Sequence, residues 1–130
     1  MGTTFSRCYS LTSIPSMDTR NVTGMNTIFS FCYSLTTIPM LDISNAWEYM
    51  ANPFDNCTSL TNFNIKGVNI SLKLGSVSLI TKSSLLYLIN NEAATSAITI
   101  KLASYAYDKW ATDPDIVAAL ANHPNISISK

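Results

Sequence analysis

The segment Cys8-Tyr-Ser-Leu11-Thr-Ser-Ile14-Pro15-Ser-Met17-Asp18-Thr-Arg-Asn21 recurs along this chain. It returns as Cys32-Tyr-Ser-Leu35-Thr-Thr-Ile38-Pro39-Met-Leu41-Asp42-Ile-Ser-Asn45, and begins a third time as Cys57-Thr-Ser-Leu60-Thr-Asn-Phe63. A period of roughly 25 residues indicates one supersecondary unit stacked on copies of itself. Because so small a unit cannot bury its apolar face alone, we predict an α/β solenoid whose core continues from repeat to repeat.

Each repeat has a strand-like half and a helix-like half. Leu35 and Ile38, like their counterparts in the other repeats, carry the apolar positions of a short strand. In the other half of the first repeat, Val22, Met25 and Ile28 lie at helical spacing. We therefore predict a right-handed coil with a mostly parallel sheet on one face and short helices or 3₁₀ turns on the other.

A different spacing governs the C-terminal half of the chain. Three segments follow one another at equal intervals, Ile70-Ser-Leu72-Lys-Leu74, Ile98-Thr-Ile100-Lys-Leu102 and Ile126-Ser-Ile128-Ser-Lys130. Their alternation of apolar and polar residues is typical of strands with one buried face. Because a strand–helix–strand crossover joins parallel strands, we predict three parallel strands in register, with Lys73 and Lys101 as neighbours.

Two helices are predicted between these strands. Thr81 suits the N-cap of an amphipathic helix that continues to Asn90. Within residues 104–122, Asp113 suits an N-cap and Pro114 the first turn of a second helix. The side chains predicted to form its buried stripe are Ile116, Val117 and Leu120.

These patterns predict one domain over residues 1–130, with three repeats in residues 3–65 and strand–helix units in residues 66–130. The junction is short, since only Lys66-Gly67-Val68-Asn69 separates Ile65 from Ile70, too little for a parallel crossover. Either residues 63–74 form one strand bent by a bulge at Gly67 or they form a hairpin, and we favour the bent strand. Because the chain starts in mid-repeat, we expect a fragment of a longer protein; a complete short protein with its own cap is the alternative.

Composition excludes several classes of protein. Hydrophobic residues make up 47% of the chain, charged residues 12%, and the formal net charge is zero, which gives no electrostatic footprint for nucleic acid. No apolar run reaches the roughly 20 residues of a transmembrane helix, and the N-terminus lacks the pattern of a signal peptide. We therefore expect no nucleic-acid partner and no membrane span. Polarity comes from Ser, Thr and Asn, as is common on neutral surfaces outside a cell.

The runs Phe29-Ser-Phe-Cys32-Tyr-Ser-Leu35-Thr-Thr-Ile38-Pro39 and Asn21-Val-Thr-Gly-Met25 resemble the leucine-rich repeats of bacterial surface proteins of the BspA type. Such proteins occur in gut and oral bacteria and in some of their phages. The resemblance implies a leucine-rich-repeat domain on a cell-surface, secreted or virion protein that adheres to host protein or glycan. Residues 81–91 are similar to the helix that often closes such arrays. The second repeat departs from the pattern, because Trp47 stands where Thr is usual.

The cysteines Cys8, Cys32 and Cys57 occupy one repeat position. Stacking in parallel would aim their Cβ vectors alike, which disfavours a disulfide, and their spacing does not suit a zinc site. We predict that all are reduced and face inward in one stack.

Other residues with reactive side chains are also predicted to be structural. His123 precedes Pro124 at a helix end, where capping or simple exposure is the favoured interpretation. Asp18 and Asp42 share a repeat position, and we predict that they accept backbone N–H groups at corners, with calcium binding as the alternative. We expect no enzymatic activity, no cofactor and no metal.

The favoured function is a non-enzymatic binding module for protein or glycan, and the alternative is a structural spacer or cap. Exposed aromatic side chains clustered on one face would favour binding; the candidates are Tyr9, Tyr33, Trp47, Tyr49, Tyr105, Tyr107 and Trp110. On the concave sheet face, the predicted ligand-binding residues are Thr37, Asn62, Asn64, Ser71, Lys73, Thr99 and Lys101, with Ser13 beside them. Phe5 and Leu11 lack an upstream repeat, so we also expect self-association through the N-terminal coil.

Overall fold

The computed structural model of the chain describes residues 2–46 and 52–130. Its elements in chain order are β1 (Thr37–Asp42), β2 (Asn62–Lys66), β3 (Leu72–Leu74), α1 (Lys82–Asn90), β4 (Ile98–Leu102), α2 (Ser104–Trp110), α3 (Pro114–Asn122) and β5 (Ile126–Ser129). The strands form two parallel sheets, one of order β1-β2 and one of order β3-β4-β5. Buried side chains from both sheets belong to one hydrophobic core.

The predicted α/β solenoid is wrong. Instead of one mostly parallel sheet that continues through all repeats, the described residues form two short sheets that neither close nor curl. Within the repeats, proline disturbs the ladder locally, because it donates no hydrogen bond to it. In β1 the register shifts between Ile38 and Met40, around Pro39. In the first repeat, where Pro15 holds the same position, only an isolated bridge between Ser13 and Thr37 forms.

The junction between the sheets follows neither predicted path. β2 ends at Lys66 and β3 starts in the other sheet, so residues 63–74 are neither a bent strand nor a hairpin. Gly67 lies in the left-handed region at φ 74°, and its N–H donates to the carbonyl of Asn91 at 2.6 Å. The carbonyl of Val68 accepts from the N–H of Ala93 at 2.9 Å. The chain therefore leaves the first sheet to bond the segment that follows α1.

The repeat period reappears as contacts between equal positions. The Phe5 and Phe29 rings stack at 5.5 Å between centroids, and those of Phe29 and Phe54 at 5.8 Å. The backbone repeats the pattern, since the N–H of Thr36 donates to the Thr12 carbonyl at 3.0 Å. The N–H of Thr61 then donates to the Thr36 carbonyl at 3.0 Å. We call the column of Phe5, Phe29, Phe54 and Phe63, which ends with Phe63 against Phe54 at 5.8 Å, the phenylalanine column.

Helix α1 covers the free edge of β2. As predicted, Thr81 is its N-cap, and its hydroxyl accepts from the N–H of Ser84. The buried Ser84 hydroxyl in turn accepts from the N–H of Phe63 at 3.0 Å, a donor that a third strand would otherwise pair. The side chains that α1 buries against the core are Leu85, Leu88 and Ile89, at helical spacing.

The equal spacing of the C-terminal strand segments is confirmed as strand register. Lys73 pairs with Lys101, and Ile98 pairs with Ile126, all in parallel strands. The start of α3 is also confirmed, with the Asp113 side chain accepting from two backbone N–H groups and proline at the next position. The predicted stripe is wrong at Val117, which is 48% exposed. Ala119 is buried with Ile116 instead.

Helix α2 was not anticipated as a separate helix. It has no side-chain cap at Ala103, so the usual sequence signal for a helix start is missing. A long-range hydrogen bond fixes the last residue of α2, since the Trp110 indole N–H donates to the Ile80 carbonyl at 3.0 Å.

We expect Gly67→Ala to lower the free energy of unfolding by about 3 kcal/mol or more. The residue has positive φ, and an added Cβ would lie 2.7 Å from the backbone nitrogen of Ser44. Gly75→Ala is the control, since its Cβ would meet nothing within 4 Å, and we expect a change below about 0.5 kcal/mol. Urea denaturation measures both. Equal midpoints for the two variants would contradict the close approach at Gly67.

We expect Lys101→Thr to leave the free energy of unfolding unchanged or raise it by up to about 1 kcal/mol, because like charges directly opposite on neighbouring strands are destabilising. Any gain should shrink at about 1 M salt, where the Debye length falls to about 3 Å. Thermal unfolding at low and high salt measures this. A marked destabilisation by Lys101→Thr would show that the Lys101 side chain makes a stabilising contact instead.

Candidate functional site

The structure divides the predicted ligand-binding residues between the two sheets. Thr37, Asn62 and Asn64 belong to the β1-β2 sheet, and the other four belong to β3, β4 and the residue before β3. Several of these polar groups bond to the protein itself. The Ser71 hydroxyl accepts from the N–H of Thr99 at 3.0 Å, and the Asn62 carbonyl oxygen accepts from the Thr81 hydroxyl at 2.9 Å. The predicted set is therefore divided between two sheets, and part of its hydrogen-bonding capacity is used within the protein.

Exposed aromatic side chains do cluster at one place. The Tyr9 and Tyr33 rings stack with centroids 5.7 Å apart at an interplanar angle of 15°, yet they remain 53% and 43% exposed. Phe31 packs edge-on against Tyr33 at 6.2 Å. We call these three rings the aromatic platform. Of the other aromatic candidates, Trp47 and Tyr49 lie outside the described residues.

The repeat backbone holds the aromatic platform in place. Arg7 and Phe31 adopt positive φ, 63° and 64°, which is unusual for side chains of this size. Each is fixed by the next repeat, since the Arg7 N–H donates to the Ser30 carbonyl at 2.8 Å. The Phe31 N–H likewise donates to the Asp55 carbonyl at 2.7 Å. The same left-handed kink thus sets the chain direction before each tyrosine.

A polar groove runs from the kinks of the repeats to the second sheet. Its first part is a depression of about 510 Å³ that Arg7, Phe31, Asn52 and Asp55 help to line. Its second part, of about 170 Å³, is lined by Asn52, Phe54, Asp55, Lys73, Gly75, Ser76 and Lys101. Because Asn52 and Asp55 line both parts, the two depressions adjoin, and we call them together the polar groove. It brings Lys73 and Lys101 together with residues that were not predicted.

Another depression, beside β1, is lined by two internal ion pairs. Arg20 binds Asp18 at 2.7 Å and Lys66 binds Asp42 at 3.0 Å. The hydrogen bond from the Arg20 side chain lowers the pKa of Asp18 to about 2, and hydrogen bonds from Ser44 lower the pKa of Asp42. Both carboxylates also accept a backbone N–H two residues ahead, which confirms their predicted capping role. Within residues 2–46 and 52–130, no three or more His, Cys, Asp or Glu side chains are grouped so that they could bind a metal ion.

Two of the three cysteines face inward as predicted, and they make the same contact in successive repeats. All three are free thiols, with Cys32 and Cys57 buried and Cys8 half-buried. The Cys32 and Cys57 thiols donate to the Phe5 and Phe29 carbonyls, each at 3.0 Å. Burial raises the pKa of Cys32, and raises that of Cys57 from 9.0 to about 12. Both buried thiols are therefore protonated, and so weakly nucleophilic, at neutral pH.

His123 occupies the predicted helix end. It is the C-cap residue of α3, and its Nδ1 lies 3.4 Å from the Glu92 carboxylate. This contact ties the end of α3 to the segment after α1. None of the described helices is long and apolar enough to span a membrane.

No protein-family model, curated protein or solved structure matches this chain. The aromatic platform and the polar groove are therefore the features that bear on function. Of the groove residues, Asp55 was missed although the sequence carries a signal for it. Ser6 and Ser30 hold the same repeat position, and the third repeat replaces this serine by a carboxylate. Arg7 gives no such signal, because its role depends on a backbone kink.

We expect an alkylating reagent at pH 8 to modify Cys8 well before Cys32 and Cys57, because the latter two are buried and stay protonated. The raised pKa values also mean that the folded state holds these protons more tightly than the unfolded state. For Cys57 this stabilising effect is complete below pH 9 and is lost as pH rises toward 12. Mass spectrometry after timed labelling identifies the sites. Equally rapid labelling of all three thiols, or a disulfide in the native protein, would contradict the stack.

Proposed function

We propose that this protein is a non-enzymatic binding module that recognises protein or glycan at a cell surface or on a virion. The aromatic platform carries this proposal. Tyr9 and Tyr33 are large side chains that a purely structural spacer does not need to expose. Exposed tyrosines supply wide contact area with little conformational freedom to lose, so they are suited to protein interfaces and to stacking on sugar rings.

The polar groove supports the same proposal. It begins beside Phe31 of the aromatic platform and provides carboxylate, amide, hydroxyl and ammonium groups over two adjoining depressions. Such a mixture can satisfy the hydroxyls of a sugar or the polar rim of a protein partner. The neutral, Ser/Thr/Asn-rich composition and the resemblance of residues 29–39 to repeats of surface adhesins agree with an extracellular role.

A screen followed by matched variants tests the proposal. Immobilised protein is exposed to a glycan array and to host extracellular proteins, and the affinity of any ligand is then measured by calorimetry. We expect the double variant Tyr9→Ala/Tyr33→Ala to weaken binding at least about 10-fold, since loss of aromatic anchors typically exceeds about 1.4 kcal/mol.

Tyr105→Ala is the matched control. Tyr105 is 61% exposed on α2, away from the aromatic platform, so its removal deletes the same side chain without touching the proposed surface. We expect it to bind as the unaltered protein does. If neither the glycan array nor the protein screen yields a ligand, the alternative of a structural spacer is favoured. If Tyr105→Ala weakens binding as much as Tyr9→Ala/Tyr33→Ala does, the aromatic platform is not the binding surface.

A further inference from the structure

Two lysines of the polar groove stand out by their charge environment. Lys66, Lys82 and Lys130 each bind an aspartate, and Lys109 lies over the Trp110 ring. Lys73 and Lys101 make no ion pair with any of the residues that the structure describes. In a chain with formal net charge of zero, these are cations left available to an external partner.

The sheet places these two lysines side by side. Lys73 and Lys101 are register partners on the parallel strands β3 and β4, and parallel neighbours lie about 4.8 Å apart. Both side chains are exposed and line the smaller depression of the polar groove. Two adjacent ammonium groups repel each other, and a single anionic group bound between them would relieve that repulsion.

The rest of the depression restricts what kind of anion fits. Asp55 and Asn52 line it together with the lysines, and the Asp55 carboxylate accepts from the Ser76 hydroxyl at 3.1 Å. A carboxylate beside the lysines disfavours ligands with densely packed negative charge, but it can accept hydrogen bonds from hydroxyl groups. The adjoining depression presents the Phe31 ring, against which a sugar face can stack.

We propose that the depression between Lys73 and Lys101 binds an acidic sugar, with its anionic group on the two lysines and its hydroxyls on Asp55 and Asn52. The inference rests on the proposed function and names the ligand class of that site. Carboxylate and sulfate are both anionic groups that sugars carry, and two ammonium groups satisfy either. An acidic peptide offers the carboxylate but lacks the array of hydroxyls that Asp55 and Asn52 would bind.

Calorimetry with defined oligosaccharides tests this. The probes are a hyaluronan hexasaccharide, which carries carboxylates alone, a chondroitin sulfate hexasaccharide, which also carries sulfates, and a neutral chitin hexasaccharide. We expect one or both acidic probes to bind at least about 10-fold more tightly than the neutral one. Preference for hyaluronan would assign the lysines to carboxylate, and preference for chondroitin sulfate would assign them to sulfate.

Matched variants connect the binding to the two lysines. Lys73→Gln/Lys101→Gln should weaken binding of the acidic probe at least about 10-fold, whereas Lys109→Gln, which removes an exposed charge elsewhere, should leave it unchanged. The acidic probe should also raise the melting temperature of the unaltered protein and not that of the double variant. Retained folding of the double variant, checked by its melting temperature, separates lost binding from unfolding.

Several results would overturn the inference. These are no binding of either acidic probe, equal loss in Lys109→Gln, and tighter binding of a poly-glutamate peptide than of the acidic sugars. Binding of the neutral hexasaccharide as tight as that of the acidic probes, dependent on Tyr9 and Tyr33 but not on the lysines, would also overturn it. That last result would leave the proposed glycan-binding function standing, so the two proposals can fail separately.

Discussion

Ring stacking between equal repeat positions is the constraint on which the other features depend. The phenylalanine column places Phe5, Phe29 and Phe54 at centroid distances of 5.5 and 5.8 Å, with the planes within 8° of parallel. Aromatic pairs at these separations contribute beyond their buried area. Once these rings are stacked, the left-handed kinks that follow them come into register. The kinks then bring Tyr9 onto Tyr33 and the N–H of Phe31 onto the carbonyl of Asp55, a residue of the polar groove.

The two halves of the chain meet the same need, burial of an apolar face, by different means. In the repeats, the strand register shifts at proline, and rings at equal repeat positions stack on one another. In residues 72–129, helices connect successive parallel strands, and the strands pair without a register shift. Helix α1 joins the halves, because the Ser84 hydroxyl accepts a hydrogen bond from β2. The lysine pair therefore lies in the regular parallel sheet of the C-terminal half, whereas the aromatic platform lies in the stacked repeats.

Local sequence signals with a single physical meaning predicted the structure most accurately. Thr81 and Asp113 marked helix starts because their side chains can accept backbone N–H groups there. The equal spacing of the C-terminal strand segments predicted the register of Lys73 with Lys101. The solenoid prediction failed because periodicity does not show that the register shifts at Pro39 or that the chain leaves the sheet at Gly67 to bond Asn91. The aromatic platform and polar groove were only partly predictable, since Arg7 and Asn52 reach the groove through backbone kinks and turns.

Nuclear Overhauser contacts between aromatic rings test the stacking of equal repeat positions most directly. With selectively labelled phenylalanine and tyrosine, the account predicts cross-peaks between Phe5 and Phe29, between Phe29 and Phe54, and between Tyr9 and Tyr33. The two rings of each pair are separated in sequence by a whole repeat, so local chain proximity cannot produce these cross-peaks. A folded protein that lacks them, or whose Tyr9 ring contacts a different part of the chain, would contradict the account.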